Sequence, residues 1–161
     1  MRTRHGFVLS MILALSSLTL PAPIAAQSGV SGMDVTGAAE GAFPNGATFN
    51  GVTLRGLELG QGLVIAPDAS ATGYFTAVIR GTSFLGLAQD VIVLGKVASG
   101  SATGNGSVTF SGAATLSMGD GTPPMPDIPF AVTVSTNSLV LVINATSLPA
   151  ATFTAGSVTI E

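Results

Sequence analysis

Two aspartates, Asp120 and Asp127, flank the run Gly119-Asp-Gly-Thr-Pro-Pro-Met-Pro-Asp127. A loop of this kind can offer oxygen ligands to calcium. The dense alternation of acidic residues found in strong calcium sites is missing, so Asp120-Gly121 reads first as a turn whose carboxylate bonds local backbone amides. Its prolines also pre-order an extended segment, a cheap platform for recognition by a partner. The other carboxylates available for paired acid–base chemistry of the glycosidase type are Glu40, Glu58, Asp68 and Asp90. They are scattered. With no Trp and a single tyrosine, Tyr74, the aromatic platform of a sugar site is also lacking.

Nucleophilic catalysis needs a base beside the serine or threonine, usually His and sometimes Lys. The one histidine, His5, falls in a leader, there is no cysteine, and the one lysine, Lys96, sits in an apolar strand with no Ser-x-x-Lys before it. Lys96 therefore reads as a solvated or edge-guarding residue. The expectation is no catalytic, metal or cofactor site.

The leader is residues 1–26. Arg2 and Arg4 precede an apolar run over residues 7–20, and Pro21-Ala-Pro-Ile-Ala-Ala26 supplies small residues before an expected cleavage at Gln27. That run falls short of the roughly 20 residues that span a bilayer. Residues 27–161 are expected to form one domain, exported and without a membrane span after processing. Without Arg2 and Arg4, three basic residues (Arg55, Arg80, Lys96) face eight acidic ones, a net charge of −5. Nucleic acid and anionic membrane surfaces, both bound through basic patches, are disfavoured as partners. Export without cysteine fits a bacterial periplasmic or secreted protein best. The sequons at Asn105 and Asn144 matter only in a host that glycosylates them.

The elements that would carry any site are strands. In residues 130–143 the first half alternates, with Phe130, Val132 and Val134 on one face, and residues 139–143 are apolar throughout. A four-residue loop at 135–138 and a two-residue turn at Thr136-Asn137 give the same register: Val134 opposite Leu139, Val132 opposite Leu141, Phe130 opposite Ile143. The apolar runs 91–94 and 139–143 predict strands covered on both faces. Further strands are expected around 33–35, 47–59, 63–66, 73–80, 107–118 and 152–160, with bends or bulges at Gly51 and Gly56. Breaks are expected at 60–62 and turns at 67–72 and Asn105-Gly106. The loop 82–88 has an apolar tip at Phe84 and Leu85, and the proline-rich 119–129 is excluded from any central strand. No stretch has helical periodicity.

Seven to ten short strands separated by Gly, Asn and Pro predict an all-β domain, an antiparallel sandwich or, as alternative, a small closed barrel. An outer-membrane barrel is disfavoured because the aromatic girdles cannot be built. The function expected is non-catalytic: a structural or interaction role at the cell surface, in the periplasm or in an extracellular matrix, with a protein or cell-envelope partner. The alternative is a binder of a small apolar ligand, with Gly95, Gly112, Ala113 and Ala114 leaving interior space.

Overall fold

The computed structural model describes residues 32–103 and 105–161. The expected leader and its cleavage point lie outside the described residues. Among the described residues there is no helix. The strands are β1 (Met33–Ala42), β2 (Thr48–Phe49), β3 (Val52–Ile65), β4 (Ser70–Thr82), β5 (Ala88–Thr103), β6 (Ser107–Ser117), β7 (Met125–Val134), β8 (Ser138–Ile143), β9 (Thr146–Ser147) and β10 (Ala151–Ile160).

All pairings are antiparallel and form one sheet, β1-β10-β8-β7-β6-β5-β4-β3, with β3 pairing back onto β1 from Met33↔Ile65 to Ala42↔Gly56. The strand bonding is ring-like. The all-β, antiparallel expectation is met, and of its two architectures, a sandwich and a closed barrel, ring-like bonding is the feature of the second. Alternation of apolar and polar residues is the same in both architectures, since each strand has one dry face either way. What distinguishes them is β1, which pairs on both edges. Its Gly-Ala-Ala-Glu-Gly-Ala sequence hides this, so the three-residue strand expected at 33–35 is in fact ten residues long.

The dry face is the inside of the ring. Phe75, Ala77 and Ile79 on β4, Val91 and Val93 on β5, Val108, Phe110, Ala114 and Leu116 on β6, and Phe130, Val132 and Val134 on β7 are all buried. The Phe75 ring stacks on Phe130, centroids 5.7 Å apart at 17°, and meets Phe110 edge-on at 5.8 Å and 61°. Such pairs add about 0.5–1.5 kcal/mol each beyond the area they bury. Gly95 makes room for this cluster, because a Cβ there would lie 2.7 Å from two atoms of the Phe130 ring.

The β7–β8 hairpin has the register expected, with Val134↔Leu139, Val132↔Leu141 and Phe130↔Ile143. Ser135 N–H donates to Ser138 O at 2.9 Å to close its loop. Asn50 and Gly51, φ 47° and 83°, link β2 to β3 with both residues left-handed, which is what a two-residue Asn-Gly hairpin requires. The register slips between Leu54 and Gly56, the bulge that Gly56 suggests.

Two expectations need correcting and a third needs extending. Gly60-Gln-Gly62 does not break the chain: β3 runs through it, with Gly62 covered by the Tyr74 ring, so the missing side chain is replaced from the neighbouring strand. Residues 125–129 belong to β7 despite Pro126 and Pro129. There the ladder is with β6 alone, since β8 reaches only as far as Phe130 and on that side only the Pro129 carbonyl takes a bond, from Asn144 N–H, so these prolines sit at an edge and in no central strand, as expected. Finally, the apolar runs are not dry on both faces. Val91 and Val93 are fully buried, but Leu94 is 53% exposed, and Val140 and Val142 are half-buried, because the wall of a ring has only one inside.

Candidate functional site

The candidate residues divide between the outer wall, the two rims and the interior. On the outer wall, Lys96 is exposed between its cross-strand partners Tyr74 and Ala113. Glu40 and Glu58, distant in sequence, are brought directly opposite each other on β1 and β3. They border a depression of about 290 Å³ whose other walls are Ala38, Ala39, Leu59, Ala155 and Gly156. Arg80 donates to Glu58 Oε1 through Nε (2.9 Å) and Nη2. The two glutamates lie on the outer wall, Glu40 exposed and Glu58 partly so, and no aromatic residue lines the depression to stack on a sugar.

The aspartates of the turns are occupied locally. Asp68 Oδ1 accepts from Ser70 N–H (3.0 Å) and Ser70 Oγ (2.6 Å), and Asp120 Oδ1 accepts from Thr122 N–H (3.0 Å) and Thr122 Oγ1 (2.6 Å). The hydroxyl bond first, then the amide bond, holds each carboxyl below the usual carboxylate value. Asp120 is thereby a turn-former, with its acceptor turned inward on its own loop. Asp127, at φ 57°, is a left-handed residue early in β7. Among the described residues no group of three or more His, Asp or Glu could hold a metal ion.

Inside the ring one residue stands apart. Gln61 is 4% exposed, and neither its Oε1 nor its Nε2 has a hydrogen-bond partner. An unmade bond of this kind costs about 1–3 kcal/mol. Gln61 was hidden by the expected break at 60–62, although its parity with Leu57, Leu59, Leu63 and Ile65 places it inward once β3 is read as continuous. The space that Gly95 was expected to leave open is taken by Phe130, and Gly112 packs directly on the Lys96 carbonyl.

The rim formed by the β4–β5 and β6–β7 connections carries the most exposed apolar residues. Phe84, Leu85 and Leu87 are 87%, 69% and 66% exposed. They are held on a structured turn: Ser83 N–H donates to Leu87 O (2.8 Å), Gly86 N–H to Ser83 O (2.9 Å), and Leu87 N–H to Ser83 Oγ (3.2 Å). Gly86, φ 81°, supplies the left-handed residue that the turn needs. At the base, Gln89 Nε2 donates to Met118 O at 2.7 Å, tying this hairpin to the start of the proline-rich loop. Half-exposed Met125 opens β7 at the far end of that loop. The sequence marks the apolar tip by composition; only the fold places it on the same rim as the prolines.

Comparison with protein-family models, with curated proteins and with solved structures finds no match to this chain. The functional reading therefore rests on the rim, the outer wall and the interior themselves.

Proposed function

We propose that this chain is a non-catalytic, exported β-barrel domain with an interaction role at the cell surface, in the periplasm or in an extracellular matrix. The observation that carries the reading is the Phe84-Leu85-Gly-Leu87 tip. Three large apolar side chains stand in water on a turn whose backbone is internally bonded, so contact with a partner requires little further ordering. No charged residue lies between Gly81 and Gln89, and the tip can be desolvated without stranding a charge. The leader-like residues 1–26 support export, and an interior lined by buried apolar side chains is unlike the polar lumen of a membrane-spanning barrel.

Fractionation of cells expressing the full chain, wild type against Phe84→Ser/Leu85→Ser/Leu87→Ser, tests this reading. The wild type is expected outside the cytoplasm and associated with envelope or matrix material, and the triple variant is expected exported and folded but free. A cytoplasmic wild type, or a triple variant partitioning as the wild type does, would contradict it. The second reading, a binder of a small apolar ligand, is favoured by Gln61, which could orient such a ligand. It ranks lower because the Phe75, Phe110 and Phe130 rings fill the middle of the ring.

A further inference from the structure

A turn that meets a protein can leave backbone groups for the partner to bond, whereas a turn that enters lipid must bring its bonds with it. The Phe84-Leu85-Gly-Leu87 tip is of the second kind. Ser83 N–H, Gly86 N–H and Leu87 N–H all donate within the turn. Shallow insertion keeps the remaining two, Phe84 N–H and Leu85 N–H, at the depth of ester carbonyl and phosphate oxygens, which accept hydrogen bonds.

The neighbouring β6–β7 loop has few free donors for a different reason. In Gly121-Thr-Pro-Pro-Met-Pro126 the three prolines carry no N–H at all. The Thr122 N–H and hydroxyl both donate to Asp120 Oδ1. Exposed Pro123 and Pro124 and half-exposed Met125 therefore add apolar surface that costs little to desolvate. The two loops adjoin at their bases, where Gln89 Nε2 donates to Met118 O and Gly119 packs directly on the Asp90 carbonyl. Neither run, 81–89 or 121–126, contains a charged residue.

Charge decides which lipid suits this rim. Behind the loops stand the exposed Asp90, Asp120 and Asp127, against Arg55 and Arg80, and Arg80 is taken up by Glu58. No basic cluster is present to attract anionic headgroups.

We infer that this rim docks on a neutral phospholipid surface. Phe84, Leu85 and Leu87 enter the boundary between headgroups and acyl chains, and Pro123, Pro124 and Met125 rest beside them. A bilayer receives a protruding apolar tip without a matching cavity, and the self-bonded turn asks nothing of it that lipid cannot give. The inserted surface is small, so attachment is weak and reversible. The inference rests on the reading of the tip as the contact site and adds what it contacts.

The chain has no tryptophan, so a single introduced one reports on one place. The full chain carrying Phe84→Trp is mixed with phosphatidylcholine vesicles, plain or brominated along the acyl chains. Its emission is expected to shift to the blue and to be quenched by the brominated lipid. Ser101→Trp, exposed at the other end of β5, is expected to show neither effect. Adding Leu85→Ser and Leu87→Ser to Phe84→Trp is expected to weaken partitioning at least about tenfold, because each removes a large apolar side chain from the inserted set. Phosphatidylglycerol in the vesicles is expected to weaken it at low salt. An unquenched Phe84→Trp, equal quenching of Ser101→Trp, or tighter binding to the anionic vesicles would overturn the inference. If vesicles leave Phe84→Trp unchanged while the triple serine variant still loses its envelope association in fractionated cells, the tip contacts a protein, and the lipid assignment alone falls.

Discussion

Phe130→Ala is expected to lower the stability of the domain by about 3–5 kcal/mol, the usual cost of removing a buried aromatic ring. That is a large part of the 5–15 kcal/mol typical of a whole domain. Phe130 is 3% exposed, stacks on Phe75 and occupies the notch that Gly95 leaves. The complementary change, Gly95→Ala, forces a methyl to 2.7 Å from the same ring. It is expected to cost about 1–3 kcal/mol as an overpacking substitution. The two sites share a contact, so the cost of Gly95→Ala should shrink in a Phe130→Leu background, where the clashing ring is gone. Urea denaturation of the three variants and their combination measures this coupling. A mild Phe130→Ala together with a silent Gly95→Ala would mean that the middle of the ring is not filled in the way described.

Leu141→Ala should cost about 2–5 kcal/mol. Leu141 is 1% exposed and lies directly opposite the fully buried Val132. The control is Thr133→Ala one residue along, on the outer face. Thr133 is exposed and its hydroxyl shares a hydrogen bond with Thr109 Oγ1 at 2.9 Å, an interaction worth no more than about 1 kcal/mol in water. The midpoint of chemical denaturation should therefore fall markedly for Leu141→Ala and little for Thr133→Ala. The uncharged, β-prone segment around Leu141 becomes accessible when β8 detaches, so the destabilised variant should also aggregate sooner on heating. Equal and mild effects at the two positions would contradict the inside–outside assignment of the β7–β8 hairpin.

The sequence makes the local strand grammar legible. Phe130, Val132 and Val134 alternate against Leu139, Leu141 and Ile143 in a way that leaves one good register, and that register is the one observed. The parity of Val108, Phe110, Ala114, Leu116 and Met118 likewise marks five buried residues of one inward face. Sheet closure is a different matter, because it depends on which strand pairs with β1, and its small residues Gly37, Ala38, Ala39 and Gly41 advertise no partner. Glycine was a mixed guide: Gly56 does mark a bulge, as expected, whereas Gly60 and Gly62 lie within an unbroken strand, where Tyr74 covers Gly62. Proline was a sound guide to what residues 125–129 are not, a central strand, but their one-sided ladder with β6 cannot be read from the prolines themselves. Of the candidate site residues, the apolar tip at Phe84 and Leu85 is plain from composition. The pairing of Glu40 with Glu58 and the inward burial of Gln61 follow from long-range register, which one strand's pattern does not contain.

The central claim is that an exported domain acts through its outside, with its interior filled by its own side chains. Native mass spectrometry of the protein recovered from outside the cytoplasm tests this most directly. A subunit mass beginning at Gln27 and carrying no bound small molecule is the result predicted. A stoichiometric apolar adduct released on unfolding, or a mass that still includes residues 1–26, would contradict it.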